Sequence, residues 1–263
     1  MYKRETTILF KHFDIHSHLN FSQFDDERED IIEQMRGEGI GTICVGTGLQ
    51  TSKESIALAQ EHEHIFATVG VHPTDWEEGF DENIFTPLLG ERVVGVGECG
   101  LDYYRDDSHK KEQKELFEAQ IAFAQQHSLP LMLHGRPKAG SMDAYEDMLE
   151  ILEGNEVRGH VHFFAGNIDI AKQFVDRGFT IGFDGPITFT QEYDEVIRYI
   201  PLDMLCVETD APFAAPEPYR GRRNSPLYVK HVLERVAEVR SESYEEIREA
   251  TVENALRVFD IEK

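Results

Sequence analysis

At 263 residues, with 40% hydrophobic and 29% charged residues, the chain is long enough to bury a core without disulfides or a structural metal, and α/β barrels reach this length as one unit. Its 50 acidic residues against 26 Lys and Arg leave a formal charge of -24. Such a charge repels a phosphate backbone at long range and argues against a broad sequence-independent DNA groove.

Read from the N-terminus, MYKRETTILFKHFD holds no long apolar segment and no small-residue cleavage site. No later window is apolar for long enough to span a membrane, so the expected address is the cytoplasm. Short β-branched runs then alternate with amphipathic stretches. Strand patterns at 11–16 (KHFDIH) and 41–46 (GTICVG) are followed by helical patterns at 26–38 and 52–63. The strand pattern 65–70 (IFATVG) precedes a broken helix within 75–90, and 93–97 (VVGVG) precedes a helix at 109–128. Strands at 130–134 (PLMLH), 158–162 (RGHVH) and 179–183 (FTIGF) lead into helices at 142–153, 168–177 and 190–199. The last strand pattern, 204–208 (MLCVE), is followed by helices at 225–239 and 243–259.

Several of these strands are apolar on successive residues, as parallel strands covered on both faces require. No repeat, low-complexity tract or Pro/Gly/Ser-rich linker divides the chain, so residues 1–263 read as one domain. Eight alternations predict a TIM-type (β/α)8 barrel, with a doubly wound open sheet as the rival. Cys44, Cys99 and Cys206 each lie in an apolar run, the pattern of buried reduced thiols.

The polar clusters fall at strand ends. Asp14-Ile15-His16-Ser17-His18 ends the first strand, Gly70-Val71-His72-Pro73 the third and Gly97-Glu98-Cys99-Gly100 the fourth. Leu133-His134-Gly135-Arg136, His160-Val161-His162 and Glu208-Thr209-Asp210 end the fifth, sixth and last. A closed barrel gathers these ends on one rim, where barrel enzymes keep their chemistry.

Residues two apart in a strand share a face, so His16 and His18 can reach one ion, although a hydrogen-bonded pair is the plainer reading of HxH alone. By the same spacing His12 competes with His16, and His160 with His162. Glu98 and Asp210 follow apolar runs, where an unpaired carboxylate would carry a heavy desolvation cost; a salt bridge is the alternative to a metal. Together His16, His18, Glu98, His134, His162 and Asp210 supply four nitrogens and two carboxylates, a donor set suited to two divalent ions. Glu98 could bridge them, and Asp210 could take a proton from an attacking water. The candidate ions are Mg2+, Mn2+ and Zn2+. Tyr219-Arg220-Gly221-Arg222-Arg223-Asn224 is a dense basic loop in an acidic chain, either balancing nearby acids or meeting substrate phosphate. Arg136 and His72 could add contacts.

The motifs DIHSHL, GVHP, VGECGLDYYR, LHGR, HFFAG, ETDAP and PYRGRRNSP occur in that order. In this combination the chain resembles the TatD family of metal-dependent deoxyribonucleases, from Asp14 to Ala255. The resemblance implies an amidohydrolase-like barrel and metal-dependent cleavage of DNA, often from an end. It implies His16, His18 and Asp210 as ligands of one ion, His134 and His162 of the second, Glu98 as the bridge and Asp210 as general base. His12 and His160 fall outside that set. His72, Arg220, Arg222 and Asn224 are placed near the substrate. Three positions depart from the family pattern: Ala165 in HFFAG, Gly135 in LHGR, and Asp184 near the rim.

The expected activity is 3′-exonucleolysis of single-stranded DNA. The alternatives are another ester or amide bond on the same barrel, such as a D-aminoacyl-tRNA ester, or a non-catalytic binding rim. The expected partner is a nucleic-acid end, with no membrane, no obligate protein partner and a monomeric chain.

Overall fold

A computed structural model describes residues 10–104 and 107–262. The N-terminal segment 1–9 and Arg105 of the VGECGLDYYR motif lie outside the described residues. In chain order the elements begin β1 (His12–Ser17), α1 (Arg28–Glu38), β2 (Ile40–Val45), α2 (Leu49–Glu61), β3 (Ile65–Val69) and α3 (Glu82–Phe85). They continue β4 (Val93–Asp102), α4 (Lys110–His127), β5 (Leu131–Arg136), α5 (Asp143–Ile151), β6 (Gly159–His162) and α6 (Ile168–Asp176). The chain closes with β7 (Phe179–Phe183), α7 (Asp194–Tyr199), β8 (Leu205–Val207), α8 (Val229–Arg240) and α9 (Tyr244–Val258).

The eight strands pair in sequence order, all parallel, as the alternating pattern predicts. The seam between β1 and β8 is joined by a Ser17–Ala211 bridge, with His18 N–H donating to Ala211 O (2.7 Å) and Asp210 N–H to His16 O (2.9 Å). Asp14 locks the same seam from inside. Its fully buried carboxylate accepts the Thr209 N–H (2.8 Å) and hydroxyl (2.6 Å).

Apolar residues form two layers. Outward-facing Leu131, Leu133, Val161, Ile181 and Val207 pack under the helices. Phe13, Ile15, Ile43, Val45, Met132 and Cys206 instead cluster with Val252 and Leu256 of α9 and with Phe259 just beyond it. The three cysteines are buried free thiols; burial pushes Cys44 up to about 11 and Cys206 up to about 12. Among the described residues no helix is long and apolar enough to cross a membrane.

Two boundaries differ notably from the sequence reading, while a third segment matches it. The 75–90 segment is broken, as expected, into 3-10 turns at Pro73–Glu78 and Thr86–Leu88 around the short α3. The 225–239 helix starts only at Val229, because Pro226 opens a 3-10 turn capped by the Ser225 hydroxyl. The fourth strand does not stop at Gly97: it runs on to Asp102, paired with β5 from Cys99↔Leu133 to Asp102↔Arg136. Gly97 (φ 150) and Gly100 (φ 138) make this possible, since a Cβ there would strike Met132 O at 2.5 Å and His134 O at 2.1 Å. The register shifts between Val96 and Cys99, and Glu98 sits in that irregularity, turned to the rim.

Candidate active site

Strand parity explains how the rim is populated. Met132 and His134 share a face of β5, as His160 and His162 do in β6. On β5 that face passes from apolar Met132 to His134 at the top, and on β6 from His160 to His162.

The first cluster is made by β1 and the turn after β8. His16 Nε2 and His18 Nε2 lie 3.1 Å apart, each 3.5 Å from Glu98 Oε2 and 3.7 and 3.3 Å respectively from Asp210 Oδ1. The His18 Nδ1–H donates to Val45 O (3.1 Å), so a neutral His18 presents its Nε2 lone pair to the centre. Asp210 adopts φ 54, a left-handed conformation that aspartate tolerates better than most residues. Bonds on both sides hold it there: its own N–H to His16 O, and Phe213 N–H to Asp210 O (2.8 Å).

The second cluster surrounds the other oxygen of the same carboxylate. Glu98 Oε1 is 2.8 Å from His134 Nδ1, 3.2 Å from His162 Nε2 and 3.6 Å from His72 Nε2. All six residues proposed as ligands on sequence grounds therefore converge. The two histidine competitors do not. His160 hydrogen-bonds Thr180 Oγ1 (2.9 Å) and Glu208 Oε2 (3.1 Å), while His12 bonds the Tyr244 hydroxyl (2.7 Å).

Sequence reasoning missed the carboxylates behind the ligands. Asp102 Oδ2 lies 3.2 Å from His134 Nε2, and Glu208 Oε1 lies 3.3 Å from His162 Nδ1. Glu208 also accepts the Phe163 N–H. A carboxylate behind a histidine fixes ring orientation and raises the basicity of the other nitrogen. Proximity in sequence is the signal that could have found them: Asp102 is four residues beyond Glu98, and Glu208 two before Asp210.

Electrostatics follow from burying so many acids together. Burial pushes the Glu98 carboxyl up, but the charges of His162, His72 and His16 and the His134 hydrogen bond hold it well below the usual range. Burial also opposes charge on His162, yet Glu208 and Glu98 drive it well above an ordinary histidine. His18 is raised against burial by Asp210 and Glu98, whereas burial and His162 depress His16 to about 4. The carboxylates thus raise His18 and His162, while burial keeps His16 and His72 low. Two nitrogens and two carboxylate oxygens on one side, and two nitrogens and one oxygen on the other, fit divalent ions. Among the described residues three donor triads are mutually close: His16-His18-Asp210, His72-Glu98-His134 and His16-His162-Glu208.

Around the mouth, Arg136 lies over the Tyr104 ring (4.2 Å) and Arg220 over Phe189 (4.0 Å). Arg222 is exposed. Among the described residues none of these three guanidiniums forms an ion pair, whereas Arg223 is tied to Glu27 and Gln23 O. His72 accepts the Thr74 N–H at Nδ1 (3.2 Å), which puts its ring proton on Nε2, facing the site. Asn224 does not reach the mouth. It is fully buried, its amide donating to Thr209 O and Phe213 O (both 2.7 Å) and accepting the Ser225 N–H (2.8 Å). The expected substrate contact is corrected to a clamp on the loop after Asp210, as a buried amide must satisfy its own hydrogen bonds first. Asp184 is buried with Oδ2 unpartnered among the described residues; burial, Glu208 and Asp210 push its carboxyl well above the ordinary range.

Comparison with known proteins gives consistent matches. The family model described as "TatD related DNase" matches residues 13–260. A relative from Bacillus subtilis named "Uncharacterized metal-dependent hydrolase YabD" is 41% identical over 258 residues, covering 95% of this chain and 99% of its own length. One from Salmonella typhimurium named "3'-5' ssDNA/RNA exonuclease TatD" is 33% identical over 263 residues, covering 95% and 99%. The crystal structure of YJJV, a TatD homolog from Escherichia coli K12, superposes with a TM-score of 0.88 at 28% identity, covering 95% of this chain and 98% of that one.

Proposed function

Because the chain belongs to the TatD-related DNase family and is a metal-dependent hydrolase, we propose that it removes nucleotides from the 3′ ends of single-stranded nucleic acid, using two divalent ions held on either side of Glu98. The observation that carries this reading is the two-faced carboxylate, with Oε2 against His16 and His18 and Oε1 against His134 and His162. His16, His18 and Asp210 would hold one ion and His134 and His162 the other, with Mg2+, Mn2+ and Zn2+ as candidates. When bound, such a pair polarises a water and a phosphoryl oxygen and offsets charge on the leaving oxygen. The name of the Salmonella relative supports the substrate class.

The chain's own groups do the rest. The Asp210 side chain keeps 12% of its surface open and takes the proton of the attacking water. The Nε2–H of His72 donates to a phosphate oxygen, and Arg136, Arg220 and Arg222 hold flanking phosphates. An end-acting enzyme contacts few phosphates, which reconciles the substrate with a charge of -24.

The direct test is stepwise release of mononucleotides from a single-stranded oligonucleotide labelled near its 3′ end, with Mn2+ or Mg2+. No release by protein shown to be metal-loaded would remove the nuclease reading and turn attention to ester and amide substrates. Asp102→Asn provides a second check, because it deprives His134 Nε2 of its carboxylate. Metal affinity is expected to fall about 10–100-fold, measured by competition with a chelating dye. An unchanged affinity would make Asp102 irrelevant to the ion beside His134.

A further inference from the structure

Two phenylalanines stand exposed in the loops that follow β7 and Asp210. Phe213 is 47% exposed and Phe189 38% exposed. Phe213 lies three residues beyond Asp210, its ring 6.1 Å from the His18 ring and 6.2 Å from Phe21, edge-on to both. Phe21 in turn lies flat on His18 at 4.6 Å. The backbone of Phe213 is fixed at both ends, by its N–H on Asp210 O and by the buried Asn224 amide on its carbonyl. Phe189 belongs to the neighbouring loop after β7 and carries the Arg220 guanidinium at 4.0 Å. The two loops are joined where Glu217 N–H donates to Thr188 Oγ1 (2.8 Å).

The arrangement is therefore a fixed, solvent-facing ring beside the hydrolytic centre, followed by a second ring with a cation on it. A contiguous apolar patch would favour a protein partner. Separate rings interleaved with arginine favour successive unpaired bases, which every sequence offers and a duplex hides. We infer that Phe213 is the stacking platform for the terminal base of the strand, with Phe189 and Arg220 receiving the next nucleotide as base and phosphate. The inference rests on the nuclease reading and deepens it: the substrate is a frayed or single-stranded end, selected by stacking.

The test compares 5′-fluorescein-labelled single strands that differ only in a normal or an abasic 3′-terminal nucleotide. Binding is followed by anisotropy with Ca2+ present, and hydrolysis of the same strands with Mn2+. Wild type is expected to bind the normal end about tenfold more tightly. Phe213→Leu is expected to lose that preference by weakening only the normal end, while Phe213→Trp retains it. Phe213 faces solvent, so both variants leave the core intact. Equal affinities for the two ends in wild type, no binding of either, or a Phe213→Leu loss shared by the abasic strand would overturn the inference. A base-dependent preference without hydrolysis would keep the platform and overturn the exonuclease reading instead.

Discussion

If Glu98 joins two ions as proposed, Glu98→Gln is expected to lower the metal bound per chain and to lower kcat/KM by roughly a thousandfold or more. The carboxylate is central because both of its oxygens are engaged: Oε2 faces His16 and His18, Oε1 faces His134 and His162. Glutamine keeps the length of the side chain but can present only one oxygen. Its amide N–H groups would point at the other cluster, where a cation repels a donor. A two-ion site contributes several kcal/mol of transition-state charge stabilisation, which sets the size of the expected loss. The buried histidines also lose a shared counter-charge, so His162 keeps Glu208 alone as its raising partner among the two carboxylates beside it. Elemental analysis of the dialysed variant beside its rate decides the matter. A variant that retains two ions and wild-type turnover would show that Glu98 does not bridge.

How far the sequence could be read depended on whether a feature is local. The runs 179–183 and 204–208 announce strands through their own apolar, β-branched residues, and β7 and β8 appear there to within a residue. His134 and His162 were legible because parity and position at a strand end place them on the rim. Glu98 was found but misplaced. Two glycines beside it look like a turn, and only the approach of the β5 carbonyls shows why they continue a strand. Asp14 is a stronger case. Nothing near residue 14 reveals that its carboxylate accepts from Thr209, 195 residues away, and joins the seam. Asn224 was misread for the same reason. In a basic loop an amide looks like one more phosphate donor, until the carbonyls of Thr209 and Phe213 are found within its reach. Residue types identify what chemistry a site can do; which groups support it is decided by contacts made across the barrel.

Asp210→Asn separates charge from shape. Asp210 sits at φ 54, and asparagine occupies the left-handed region about as readily as aspartate, so the turn and its bonds to His16 and Phe213 should persist. The amide cannot take a proton from water, and it would weaken the hold on the ion proposed to lie between Asp210, His16 and His18. Loss of a general base costs about 10²–10⁴ in rate, so kcat is expected to fall by that factor with KM changed little. Thermal unfolding measured without metal should shift little, because no buried cavity is made. Asp210→Ala is the contrasting variant. It removes the same base and also places alanine in a left-handed conformation, at a cost of about 1–2 kcal/mol. The pair therefore makes a joint statement: equal losses of turnover, unequal losses of stability. If the asparagine variant stayed folded, bound its metal and kept kcat within about threefold of wild type, proton removal would belong to another group. Asp184, whose buried Oδ2 has no partner among the described residues and whose carboxyl feels Glu208 and Asp210, would then be the first candidate.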